Sequence, residues 1–457
     1  MIYMKKIALT SNDYIKKEII IHSKKINYFY NEVLTDSKKI NELVLIPLTK
    51  LKKKELKNID NYLPNCNIKI IKETDINNYL NNGFIIVLYK KIYAIELRAN
   101  LSRGVSKIDS ELSLSGPKDS FQEDYNTNLG LIRKRIKSNN LKTKEFNIGR
   151  YTNTKIGILY IDGIVKKDIV NHIIKKILDI NIDGIIDSSY LKQAFEKENN
   201  SFPTIMMSER PDKCSMALLE GKVLILVDMS PYVLILPSFF WDYFHTTDDY
   251  YQKAINTTFI RLIRLIAFFI ALLTPAVYIS VTTRNYSLIP INLLYILKAG
   301  RTFVPFPAYI EATFMIICFE ILKESDLRMS QTSGSAISIL GGLILGDAAV
   351  AAGIVSPIMI IIIAISSIAG LIFTSIELSN TIRNYKLLFL FLATIYGIYG
   401  VITGIVLLLY NIHKTEIFGY SYFSINKDEI KDSIIRVNTK IKKRNKKLTN
   451  NIERGTI

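Results

Sequence analysis

The chain has 457 residues, 59 Lys+Arg against 41 Asp+Glu, a net charge of +18 and 49% hydrophobic residues. Three widely spaced cysteines (Cys66, Cys214, Cys318) exclude a disulfide framework and show no metal-ligand spacing, and four scattered histidines form no catalytic dyad. No Gly-rich phosphate loop appears, so neither nucleotide chemistry nor a cofactor is expected.

Charge divides the chain. Residues 1–258 carry 39 Lys+Arg and 30 Asp+Glu, residues 259–411 only 9 and 6, and residues 412–457 have 11 and 5. The expected fold is an α/β soluble region of two related mixed-sheet domains, then an all-α polytopic membrane domain and a basic tail. Met1-Ile-Tyr-Met-Lys-Lys precedes mixed polar sequence without an apolar h-region, so no cleavable signal peptide is expected.

The first α/β domain is placed at 1–115 and the second at 146–258, joined by a basic helical segment at 116–145. Asn27–Asp36 reads as a strand, and Asn82–Leu97 as a Gly-led hairpin. Ile156–Val165 and Leu219–Pro237 repeat that order, with helical periodicity over Asp168–Leu178 and Ser188–Glu198 between them. In the connecting segment, Asn128–Lys137 reads as an amphipathic helix whose Arg133, Lys134, Arg135 and Lys137 either bind an acidic partner, lipid or nucleic acid or form a wet face.

Four apolar segments in the membrane domain 259–411 are about 20 residues long, enough to span a bilayer: 259–282, 333–355, 357–376 and 387–410. Segments 287–297 and 308–322, separated by Val304-Pro305-Phe306-Pro307, are short; they are re-entrant, interfacial or extra short spans. The Lys-rich N-terminal half and the tail cluster Lys440–Lys447 both favour the cytoplasmic side, which demands an even number of spans. The basic surplus suits anionic membrane lipids rather than nucleic acid.

Ser208-Glu209-Arg210-Pro211-Asp212 with Leu219-Glu220-Gly221-Lys222-Val223 resembles the signature of the GerA family, the A subunits of nutrient germinant receptors of bacterial spores. Further motifs follow in the family's order. They are Gly116-Pro117-Lys118-Asp119-Ser120-Phe121, Asp249-Tyr250-Tyr251, Arg261-Leu-Ile-Arg264, Val304–Pro307 with Glu311, Phe319-Glu320, and Ala348–Pro357. The chain departs from the pattern at Asp347, where the family usually has Gln, and at Ala352, where it usually has Glu.

The resemblance implies a non-enzymatic subunit in the spore inner membrane, a homo-oligomeric ring that conducts inorganic cations once nutrient is sensed. It also implies a transporter-like B subunit and a lipoprotein C subunit as partners. A non-conducting scaffold, or a stage-V sporulation AF-type accessory protein, is the alternative.

Within the apolar block, Asp347 stands out because a carboxylate at membrane depth costs at least about 2.5 kcal/mol unless it faces protein or water. Gly334, Ser338, Gly342 and Gly346 form a small-residue ridge beside it, the surface on which membrane helices pack closely. In a ring, Asp347 becomes a circle of carboxylates attracting cations; otherwise it bonds to a neighbouring helix. Glu311 is a second pore or gate candidate. Arg261 and Arg264 share one helix face and are either interfacial anchors or couplers of the soluble part to the pore. The box Glu209, Arg210, Pro211 and Asp212 is read as structural, capping and bridging elements, with Gly221 closing the signature.

Overall fold

A computed structural model describes residues 11–52, 55–57, 59–63, 67–99, 111, 116–197, 200–328, 342, 346–423, 433–436 and 448–449. The chain forms two compact units. The first comprises 1–198, 204–238 and 438–457; the second comprises 199–203 and 239–437.

In the first unit, β1 (Tyr14–Ile21), β2 (Lys24–Asn31), β3 (Ile68–Ile70), β4 (Phe84–Leu88) and β5 (Ile92–Glu96) form a sheet in the order β1-β2-β4-β5-β3. β6 (Leu141–Ile148), β7 (Thr154–Ile161), β8 (Met206–Ser208), β9 (Val223–Val227) and β10 (Val233–Leu236) repeat it as β6-β7-β9-β10-β8. The two related α/β domains are therefore present. The mixing lies in the connections, hairpins combined with helical crossovers, while the ladders among the described residues are antiparallel.

Local chemistry explains each element. His22 and Ser23 both adopt left-handed φ (48° and 62°) and close the β1–β2 hairpin, as a two-residue primed turn requires. Alternation along β4 sends Ile85 and Val87 into one core and Phe84 and Ile86 into the other, so both faces of the first sheet are covered. Two helices cross between β7 and β8. In α1 (Lys167–Leu178) Ile169, Val170, Ile173 and Ile177 are buried, a single stripe of helical period, and α2 (Ser188–Phe195) starts where Asp187 accepts from Ser189 N at 3.0 Å.

The connecting segment departs from expectation. A helix, α3, covers Tyr125–Arg135, but β6 already begins at Leu141, so the segment placed at 116–145 contains the first strand of the second sheet. Nor is α3 a wet basic helix, since Asn128 through Arg133 are all buried. Arg133 lies 2.7 Å from Asp13, and both side chains are 1% exposed. Arg135 holds Asp119 at 2.5 Å. These charges are spent inside the unit, not on a partner.

The second unit is helical: α4 (Ala254–Thr283), α5 (Ile291–Ala299), α6 (Ala308–Arg328), α7 (Pro357–Leu371), α8 (Ile376–Tyr396) and α9 (Ile398–Lys414), then a small hairpin, β11 (Glu416–Ile417) and β12 (Tyr420–Ser421). Among the described residues α4, 30 residues long, is the helix long and apolar enough to cross a bilayer; α7 and α9 are apolar but shorter. The segment 308–322 lies in one continuous 21-residue helix, α6.

The span expected at 387–410 is not one helix. Gly397 has φ +61°, a conformation that L side chains rarely adopt, and a Cβ there would lie 2.8 Å from Arg284 Cβ. The chain turns there, and Asn285 Oδ1 accepts from Ile398 N at 3.0 Å. Gly404 then meets the Phe389 ring, so Gly400 and Gly404 pack α9 back on α8. Of the span expected at 333–355, residues 333–341 and 343–345 lie outside the described residues, as does the tail cluster 440–447.

Outward faces are apolar. Ile361, Ile365 and Ile368 are exposed along α7, and Tyr399, Ile402, Val406 and Leu409 along α9. Such stripes require a non-aqueous environment or a covering partner.

Arg133→Ala leaves Asp13 buried without its counter-charge and is expected to cost about 3–5 kcal/mol. Exposed Lys134→Ala is expected to change stability by less than about 0.5 kcal/mol. Denaturant unfolding of the full chain in detergent distinguishes these, and equal effects contradict the burial argument.

Candidate functional site

The sequence singled out Arg261 and Arg264, three residues apart and hence on one face of α4. The structure supplies their partner. Asp249 lies in a short 3-10 turn (Thr247–Tyr250) just before α4 and is 2% exposed. Arg261 Nε donates to Asp249 Oδ2 at 3.0 Å, and Arg264 Nη1 reaches both carboxylate oxygens at 3.0 Å. Arg264 also donates to Phe244 O at 2.9 Å and to Thr246 Oγ1 at 3.0 Å. Thr257 Oγ1 ties back to Asp249 O at 3.1 Å. The cluster is therefore a clamp fixing residues 244–250 to the first turns of α4, not a pair of arginines lying free at a membrane surface.

Sequence reading missed the third arginine. Arg436, in the tail, donates to Tyr250 O at 3.1 Å and to Gln252 O, and lies over the Tyr250 ring 5.6 Å from its centroid. His245 Nε2 meets Ser433 O at 2.8 Å. The tail thus returns to the clamp, a contact with no signal in spacing or periodicity.

Glu311, at the start of α6, is buried and committed. Arg301 Nη2 donates to Glu311 Oε1 at 2.9 Å, and Ser356 N, at the head of α7, donates to Glu311 Oε2 at 3.0 Å. The carboxylate joins the 301–306 turn, α6 and α7. In this arrangement it is a latch rather than an open pore group.

Asp347 is different. It lies in the helical stretch 346–351 and is exposed, and among the described residues its carboxylate meets no hydrogen-bond or ion-pair partner. Of the ridge beside it, a Cβ built on Gly342 would lie 4.0 Å from Leu322 Cδ1 of α6, and one built on Gly346 would meet nothing within 4 Å among the described residues. Gly334 and Ser338 lie outside the described residues. Glu320 of α6 meets Arg383 of α8 at 3.6 Å.

The signature box lies in the first unit and holds it together. Arg210 binds Asp212 through Nε (3.0 Å) and Nη2 (2.7 Å), and Pro211 is the first residue of a helix, α10 (Pro211–Leu219). Arg210 also reaches Glu111 O at 3.2 Å, and Glu209 accepts from Glu111 N at 3.0 Å. Burial in α10 pushes the Cys214 thiol well above its usual range, so it is held unreactive. Gly221, at φ +90°, leaves room for Thr449 Cγ2, while Lys166 N donates to Leu448 O at 2.9 Å and Val165 bridges Thr449. The glycine of the signature is therefore a seat for the chain's own C-terminal stretch.

The family model described as Bacillus/Clostridium GerA spore germination protein matches residues 2–448. Spore germination protein GerQA of Bacillus cereus is 35% identical over 437 residues, 93% of this chain and 88% of that protein. Spore germination protein KA of Bacillus subtilis is 38% identical over 340 residues, 73% of this chain but 62% of the relative's length. An uncharacterized membrane protein, YfkQ, of Bacillus subtilis is 35% identical over 353 residues, 76% of this chain and 69% of that protein. The crystal structure of the N-terminal domain of the A subunit of the Bacillus megaterium spore germinant receptor GerK3 aligns at TM-score 0.41 and 27% identity, covering 52% of this chain and 93% of that one. The chain belongs to the GerA family of spore germination proteins.

Proposed function

We propose that this chain is the A subunit of a spore germinant receptor, an oligomer in the spore inner membrane that passes a nutrient signal to an ion pathway in its helical unit. It acts by conduction and not by catalysis, beside a transporter-like B subunit and a lipoprotein C subunit. The observation that carries this reading is the exposure of Asp347. Of the six acidic residues between 259 and 411, Glu311, Glu320, Glu324, Asp326 and Glu377 have partners. An unpartnered carboxylate on an apolar helix must meet water or a second subunit, and a ring of copies provides both.

In this reading both ends of the helical unit lie on the cytoplasmic side, as the basic residues of the N-terminal half and of the tail favour, and the helices cross the membrane an even number of times. The Asp249 clamp is the coupling element in this reading. It connects the segment leaving the first unit to the first long apolar helix, so a shift there moves α4 as a rigid lever.

In proteoliposomes, Asp347→Asn is expected to lower cation flux several-fold and to weaken cation-over-anion selectivity. Unchanged flux from properly assembled protein would favour the non-conducting scaffold. Asp249→Ala strands two guanidinium groups and is expected to destabilise the protein by about 3–5 kcal/mol. Thr246→Ala removes two hydrogen bonds, the one its hydroxyl donates to Asp249 Oδ1 and the one it accepts from Arg264, and is expected to cost about 2 kcal/mol. Thermal unfolding in detergent checks both; an Asp249→Ala protein as stable as Thr246→Ala contradicts the clamp.

A further inference from the structure

A cavity of about 250 Å³ opens between α6, α7 and α8. Liquid water occupies about 30 Å³ per molecule, so the space exceeds what one or two ordered waters fill. One wall is apolar, with Ile368, Leu371 and Ile382. The other is charged, with Lys323, Arg383 and Lys386 against Glu320 and Asp326.

Those charges are not evenly matched. Arg383 is 3.6 Å from Glu320, and Lys323 Nζ donates to Ser379 Oγ at 2.6 Å. Lys386 is 5% exposed, and among the described residues its ammonium makes no hydrogen bond or ion pair. It feels Glu320 favourably and Lys323 unfavourably, and Glu320 is already engaged by Arg383. A buried ammonium without a direct partner is expensive, and a cavity beside it is where the missing anion fits.

We propose that this cavity binds a singly charged oxyanion, a phosphate of either an anionic lipid headgroup or a free anion, with Lys386 as its counter-charge. The apolar wall suits the glycerol and upper acyl region of a lipid, and the charged wall its phosphate. Arg383 and Lys323 lie on the same wall and add to the field without being freed from their own partners.

The test uses the full-length chain in neutral detergent, with phosphatidylglycerol, phosphatidylcholine and inorganic phosphate as probes, read by native mass spectrometry and thermal shift. Phosphatidylglycerol or phosphate is expected to bind and raise the wild-type Tm, and phosphatidylcholine is not. Lys386→Met is expected to weaken that binding about five- to ten-fold, with Lys386→Arg retaining it. Without ligand, Lys386→Met is expected to be no less stable than the wild type, because it removes a buried unpaired charge. Lys386→Gln gives the same reading if the Met variant does not fold. Binding of phosphatidylglycerol alone identifies a lipid, and binding of phosphate as well identifies a free-anion site. A wild type that binds neither, or a Lys386→Met protein that binds both equally well, overturns the proposal.

Discussion

A guanidinium cannot be deprotonated in a protein, so an arginine buried in an apolar helix must bring a carboxylate or carbonyls with it. Arg261 and Arg264 are both buried at the head of α4, and Asp249 answers both of them. Because the two side chains share one face, a single carboxylate twelve residues upstream suffices to fix the direction in which α4 leaves the preceding turn. Arg436 closes the same region from the far end of the chain. The start and the end of the helical unit are thereby pinned to one place.

The rest of the second unit follows the same rule. Glu311 is held by Arg301 and by the Ser356 amide just before α7, and Glu320 by Arg383. Each ion pair joins elements that apolar packing alone would leave free to slide. Among the described residues, Asp347 and Lys386 have no such answer. Asp347 is exposed, and the reading proposed here gives it to the oligomer. Lys386 is buried, and the cavity beside it gives it to a ligand.

Much of this was legible in the sequence. The repeat of strand, crossover and Gly-led hairpin matched β2 with β7 and β4–β5 with β9–β10, because buried strands are short apolar runs that turn residues punctuate. The outer strands β1 and β6 were not legible. Tyr14–Ile21 and Leu141–Ile148 are partly exposed and carry several lysines, so they read as polar connectors. The basic helix was misread for a related reason. Periodicity shows a charged face but not whether a distant Asp13 will cover it. Gly397 was visible as a glycine, yet nothing local shows that Asn285 and Arg284 would occupy the space of its side chain. Arg261 and Arg264 were found by spacing, whereas Asp249 as their partner, Arg301, Lys386 and Arg436 depend on contacts between distant segments.

The proposed conduction depends on Asp347 facing water inside an assembly. It is tested most directly by placing Asp347→Cys in a chain whose Cys66, Cys214 and Cys318 have been replaced, and treating proteoliposomes with a membrane-impermeant cationic thiosulfonate during flux measurement. The thiol is expected to be modified from the aqueous phase, and the added positive charge to lower cation flux. Protection from that reagent, with reaction only by a lipid-soluble maleimide and no change in flux, would contradict it.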